Sequence, residues 1–156
     1  MNAPSTSSLP SPESIRFPAL TSSQGLIHVI NSLEAISQCT RLGFKSGYFK
    51  NLLLIDSSGN RFQIVGAKKV RTVFNFNFGE LLGLVTGNPR WQVDPIFAPG
   101  STRISLAEVK NLIADSFERE KGSWEEMSDF EEFEKKIEQA ESLDQVFAVF
   151  KRSNRA

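Results

Sequence analysis

The chain is 156 residues long, 40% hydrophobic with 13 Phe, and 23% charged, which suits one soluble domain with a packed core and excludes fibrous, collagenous and wholly disordered chains. Its 18 basic and 18 acidic residues cancel, so the basic excess typical of a DNA-binding domain is absent. One histidine, His28, and one cysteine, Cys39, leave no His or Cys cluster for zinc, nucleophilic or acid–base chemistry and no internal disulfide.

Residues 1–23 are rich in Ser, Thr and Pro (Pro4, Pro10, Pro12, Pro18) and poor in bulky apolar side chains, so they read as a disordered tail ahead of a single domain over 24–152. No basic residue precedes Arg16 and no apolar run follows it, which argues against a secretory signal. With no apolar run near the ~20 residues of a membrane span, the expected setting is the cytoplasm, away from membranes. Leu26–Ile30 reads as a short strand with His28 inside it as a hydrogen-bonded structural residue. Asn31 or Ser32 then caps a helix through about Leu42, with Leu33, Ile36 and Leu42 facing the core and Gly43 as its stop.

Tyr48–Asp56 and Arg61–Val70 read as two strands joined by a turn at Ser57-Ser58-Gly59-Asn60. The first is nearly continuous in apolar residues and is expected to be central; Gly66 in the second marks a bulge or a close approach. Val73–Phe78 alternates Phe74, Phe76 and Phe78 with polar residues, as a strand does, and runs into a short helix near Glu80–Val85. Gly87-Asn88-Pro89 is a turn, and Trp91–Asp94 a further strand reaching Phe97, with Pro95 favouring an edge.

From Ser105 the pattern is helical. Ser105-x-x-Glu108, Ser123-x-x-Glu126 and Ser142-x-x-Gln145 each match the capping box, in which two orphan amide donors are satisfied reciprocally. Leu106, Val109, Ile113 and Phe117 form one apolar stripe; Phe130, Phe133, Ile137 and Ala140 a second; Val146, Phe147 and Phe150 a third. The fold class expected is α+β: a small, mainly antiparallel sheet of about four strands, packed with an early helix and a C-terminal helical segment.

Residues 1–103 carry ten Lys/Arg and five Asp/Glu, residues 104–156 eight and thirteen, a balance of +5 followed by −5. The acidic half places Glu125, Glu131, Glu132 and Glu138 on the helix over 123–141, a candidate face for a basic protein partner, although Glu131/Lys135 and Glu132/Lys136 are also the i,i+4 pairs of any solvated helix. Lys68, Lys69 and Arg71 beside Phe74, Phe76 and Phe78 offer the alternative of single-stranded nucleic-acid binding, which pairs a basic groove with stacking rings; a core-facing strand has the same spacing. Asp94 with Glu108-Val109-Lys110 resembles the carboxylates of a metal-dependent hydrolase, but that chemistry wants Glu-x-Lys on a strand, whereas Glu108 sits in a capped helix turn where i and i+2 diverge. There is no phosphate-cradling loop, and Gly43–Gly47 lacks the nucleophile-elbow pattern. No cofactor, metal or catalytic residue is therefore expected.

The hairpin NLLLIDSSGNRFQIVGAKKV, the strand RWQVDPIF and the ending SLAEVKNLI…FEEFEKKIEQAESLDQVFAVF together resemble, over residues 48–150, the small α+β immunity proteins of bacterial toxin–immunity systems. The resemblance implies a non-enzymatic inhibitor that binds a cognate toxin, with the acidic helix available to a basic one. It is one of pattern, so no binding residue carries over.

Overall fold

The computed structural model describes residues 14–73, 78–122 and 129–153. In chain order its elements are β1 (Ala19–Ser23), β2 (Leu26–Ile30), a 3-10 turn (Leu33–Ile36), β3 (Gln38–Thr40), α1 (Arg41–Lys45), β4 (Leu52–Asp56), β5 (Asn60–Thr72), α2 (Phe78–Val85), β6 (Arg90–Phe97), β7 (Thr102–Arg103), α3 (Leu106–Arg119), α4 (Phe130–Gln139) and α5 (Leu143–Ser153). The architecture is α+β on an antiparallel sheet, but among the described residues the sheet has seven strands rather than about four, in the order β2-β1-β4-β5-β6-β3, with β7 pairing the start of β5.

The sheet packs on both faces. Alternation along β4 sends Leu53 and Ile55 one way and Leu52 and Leu54 the other. The first pair, with Leu20 and Ile27, meets the stripes of α3, α4 and α5 in one core. Phe117, Phe133 and Phe150 knit the helices there: Phe133 lies edge-on to Phe117 at 5.8 Å and to Phe150 at 5.1 Å. The second pair joins Ala19, Phe62, Ile64 and Val93 in another core, closed by Ile36 of the 3-10 turn, Phe49, and Phe44 of α1. As the continuous apolar run predicts, β4 is a central strand, flanked by β1 and β5.

Several expectations are corrected. The tail ends earlier than residue 23: β1 lies between β2 and β4, and two of its polar residues, Thr21 and Ser23, are buried with partners. The Thr21 hydroxyl donates to the His28 carbonyl at 3.2 Å and the Ser23 hydroxyl to the Tyr48 carbonyl at 3.1 Å, so a Ser/Thr-rich strand loses little by leaving water. The helix expected from Ser32 to Leu42 is split into the 3-10 turn, β3 and α1. Ser32 makes no side-chain cap; Thr40 caps α1 instead, its hydroxyl accepting from the Gly43 N–H, which places Gly43 inside the helix rather than at its stop. Pairing of β3 with Arg90–Gln92 of β6 outcompetes the local helical preference, and Leu42 faces solvent. Residues 48–51 form turns ahead of β4. His28 is exposed on edge strand β2, because alternation turns its neighbours Ile27 and Val29 towards the helices.

Other readings hold. Gly59 adopts a φ of 79° in the β4–β5 turn, and the β5–β6 register shifts between Ile64 and Gly66. Pro95 lies on the part of β6 that β3 leaves unpaired. The Ser105–Glu108 capping box is complete. At Ser142 only half of the box forms: its hydroxyl accepts from the Gln145 N–H at 3.3 Å, while Gln145 Oε1 accepts from Glu141 rather than from Ser142. The strand expected over Val73–Phe78 and the box at Ser123 fall mainly outside the described residues, although Phe78 itself opens α2.

Candidate functional site

Of the two carboxylates weighed for metal chemistry, Glu108 is engaged by its own helix cap and Asp94 is not brought to it by any hydrogen bond among the described residues. Asp94 is exposed on β6 opposite Lys68. Glu108 Oε2 accepts from the Ser105 N–H at 2.8 Å and the Ser105 hydroxyl at 2.7 Å, and these bonds hold its carboxyl below the usual carboxylate range. Among the described residues no group of three or more His, Cys, Asp and Glu side chains could hold a metal ion.

The basic residues of β5 do not form one face. Asp94 and Gln92 are two apart on β6 and share a face, so their partners Lys68 and Arg71 share it too; the register shift between Lys69 and Arg71 absorbs the extra residue. Lys69, opposite Val93, points to the other face, where its Nζ lies 4.1 Å from the centre of the Trp91 ring. Trp91 packs edge-on to Phe44 at 5.4 Å, so its ring is already engaged on two sides. Phe74 and Phe76 lie outside the described residues.

On α4 the carboxylates of Glu131, Glu132 and Glu138 are exposed; Glu125 lies outside the described residues. Glu132 pairs with Lys136 at 2.5 Å, the i,i+4 geometry expected of a solvated helix. Lys110 Nζ donates to the Glu138 backbone carbonyl at 2.6 Å and ties α3 to the end of α4.

A surface that the sequence reading passed over lies at the far end of the β5–β6 ribbon. The α2–β6 turn docks on the start of α1: the Arg41 N–H donates to the Pro89 carbonyl at 2.9 Å, the Leu42 N–H to Asn88 Oδ1 at 2.8 Å, and the Arg41 guanidinium to the Gly87 carbonyl at 3.3 Å. The Asn88 N–H reaches back to the Gly83 carbonyl at 2.7 Å. A Cβ at Gly83 would stand 2.9 Å from the Asn88 oxygen, so glycine is what lets the turn fold against α2. This unit holds Leu42 (68% exposed), Leu81 (59%), Leu82 (52%), Leu84 (38%) and Val85 (79%) at one end of the molecule. No family model, curated protein or solved structure matches the chain. Any functional reading therefore stands on this geometry. The signal for the tip was in the sequence: Leu81-Leu82-Gly83-Leu84-Val85 carries four large aliphatic side chains and no polar one, leaving Glu80 as the one charged residue of the helix.

Proposed function

We propose that the chain is a non-enzymatic protein-binding protein that docks through the apolar tip built by α2 and Leu42. The observation that supports this is the exposure of five large aliphatic side chains on two adjoining elements, an arrangement that marks interaction sites on soluble proteins. Their exposed fractions amount to roughly three whole side chains, each contributing about 1.5–3 kcal/mol when removed from water. That gain is of the same order as the cost of association, so the cluster serves as the anchor of a larger contact. The acidic face of α4 ranks second for a physical reason: exposed carboxylates and lysines are at home in water, whereas exposed leucines are not. An immunity-type inhibitor of a toxin belongs to this class, since it acts by covering its partner and needs no reacting group.

The test is co-purification of the tagged chain from lysate of its own organism after nuclease treatment, with Leu82→Ser/Val85→Ser in parallel. A stoichiometric protein that elutes with the unaltered chain and is lost from the double variant supports the reading. Equal recovery by both forms removes the tip as the docking site, and a clean elution from the unaltered chain removes the reading itself.

A further inference from the structure

We infer that the partner presents an apolar groove bordered by acidic side chains, an inference that rests on the docking function proposed above. The apolar tip adjoins segments rich in basic residues: Arg41 bonds to its turn, and the end of β5 pairs with the start of β6 just beyond that turn. Residues 41–45, 69–73 and 78–92 hold five basic residues, Arg41, Lys45, Lys69, Arg71 and Arg90, against one acid, Glu80. Two of these cations are fixed in place: Arg41 by the Gly87 carbonyl, and Arg71 by Gln92 Oε1 at 2.6 Å. Lys45 closes α1, and Arg90 opens β6 immediately after the turn.

This distribution selects among occupants. A second copy docked tip to tip would bring two sets of like charges together around the apolar contact, and such juxtaposition is costly at an interface. An anionic lipid surface shares the attraction to these basic residues. However, α2 is eight residues long, about 12 Å, and the large apolar side chains exposed there among the described residues are aliphatic, with no Trp or Tyr among them. Leu81, Leu84 and Val85 instead stand at i, i+3 and i+4, the anchor spacing of a helix laid in a protein groove, and Leu82 widens the contact. An acidic border on that groove completes the pairing and sets its orientation and salt dependence.

The experiment captures the partner from lysate at low salt and at about 0.5 M, where the Debye length has fallen well below 10 Å. It compares the unaltered chain, Lys45→Glu/Arg90→Glu and Leu82→Ser/Val85→Ser, all four positions being exposed and Arg41 being left to hold the turn. Far-ultraviolet circular dichroism first establishes that each variant is folded. The expected result is one protein whose recovery falls at least about tenfold both in high salt and with the charge-reversed variant, and which a carbodiimide couples through its own Asp or Glu to Lys45 or Lys69. Loss with the aliphatic variant alone, with neither salt nor charge reversal having an effect, overturns the acidic groove and leaves the docking function standing. Retention by both variants, or no capture at all, overturns both. Binding of the isolated chain to mixed phosphatidylcholine–phosphatidylserine vesicles, or a concentration-dependent dimer in sedimentation that Leu82→Ser/Val85→Ser abolishes, overturns the groove in favour of a lipid surface or a second copy.

Discussion

Asp56→Asn is expected to cost a large fraction of the fold's stability, although it changes one atom. Asp56 is fully buried at the end of β4, and four donors converge on its carboxylate. Oδ1 accepts from the Ser58 and Asn60 N–H groups at 2.9 and 2.8 Å; Oδ2 accepts from the Asn60 side-chain amide at 3.1 Å and the Arg16 N–H at 3.4 Å. Asparagine keeps the Oδ1 bonds but makes them neutral, a loss of about 1 kcal/mol each. Its NH2 replaces Oδ2 and meets two donors. The Asn60 amide escapes by turning over, but the Arg16 N–H has no such freedom and is left opposed, at about 1–3 kcal/mol. Relief from holding a charge away from water returns part of this, so the net loss is about 2–4 kcal/mol, against the 5–15 kcal/mol typical of a whole domain. Urea unfolding followed by circular dichroism reads it as a lower midpoint at unchanged slope. Faster amide exchange at Arg16 would confirm where the damage lies. A loss below about 1 kcal/mol would refute the account, showing that the four donors are satisfied without the charged oxygen.

Two further predictions concern titration. Ser105→Ala keeps the backbone N–H bond, the larger cause of the depression, and removes the hydroxyl bond that adds to it, so the Glu108 carboxyl moves up part of the way towards the ordinary value, read by carboxyl-detected NMR titration. A depressed carboxyl stabilises the fold above its unfolded pKa, and the contribution disappears as pH falls through the folded value; the variant therefore loses less stability on acidification than the unaltered chain, and an unmoved Glu108 titration would contradict this. Burial pushes the Cys39 thiol up, so at pH 8 the native chain reacts with a disulfide reagent more slowly than the urea-unfolded chain and gains rate as pH rises beyond the usual thiol range. Equal native and unfolded rates would rule it out.

What the sequence made legible was what neighbours in the chain decide. The α3 capping box needs only Ser105 and Glu108, three residues apart, and the stripes of α3, α4 and α5 repeat with the helical period, so both could be read locally. The strand β1 could not, because Ala19-Leu20-Thr21-Ser22-Ser23 becomes a buried strand only when the His28 and Tyr48 carbonyls accept its hydroxyls and Arg16 is held to the β4–β5 turn, its carbonyl accepting from the Ser57 N–H at 3.0 Å. The segment 32–45 failed for the same reason. Its helical spacing is real, yet the Val93 N–H donates to the Ser37 carbonyl at 2.8 Å, and β3 adds its ladder to β6; partners far along the chain outweigh a local preference. The tip follows from the same competition. Once Thr40 and Arg41 are bound to Pro89 and Arg90 by that pairing, Leu42 is carried out of the core it was expected to enter and left exposed, its N–H bonded to Asn88 in the turn after α2. The pairing that defeats the expected helix thus exposes the leucine that extends the proposed docking surface, which makes the exposure a product of the sheet's long-range register rather than of loose packing.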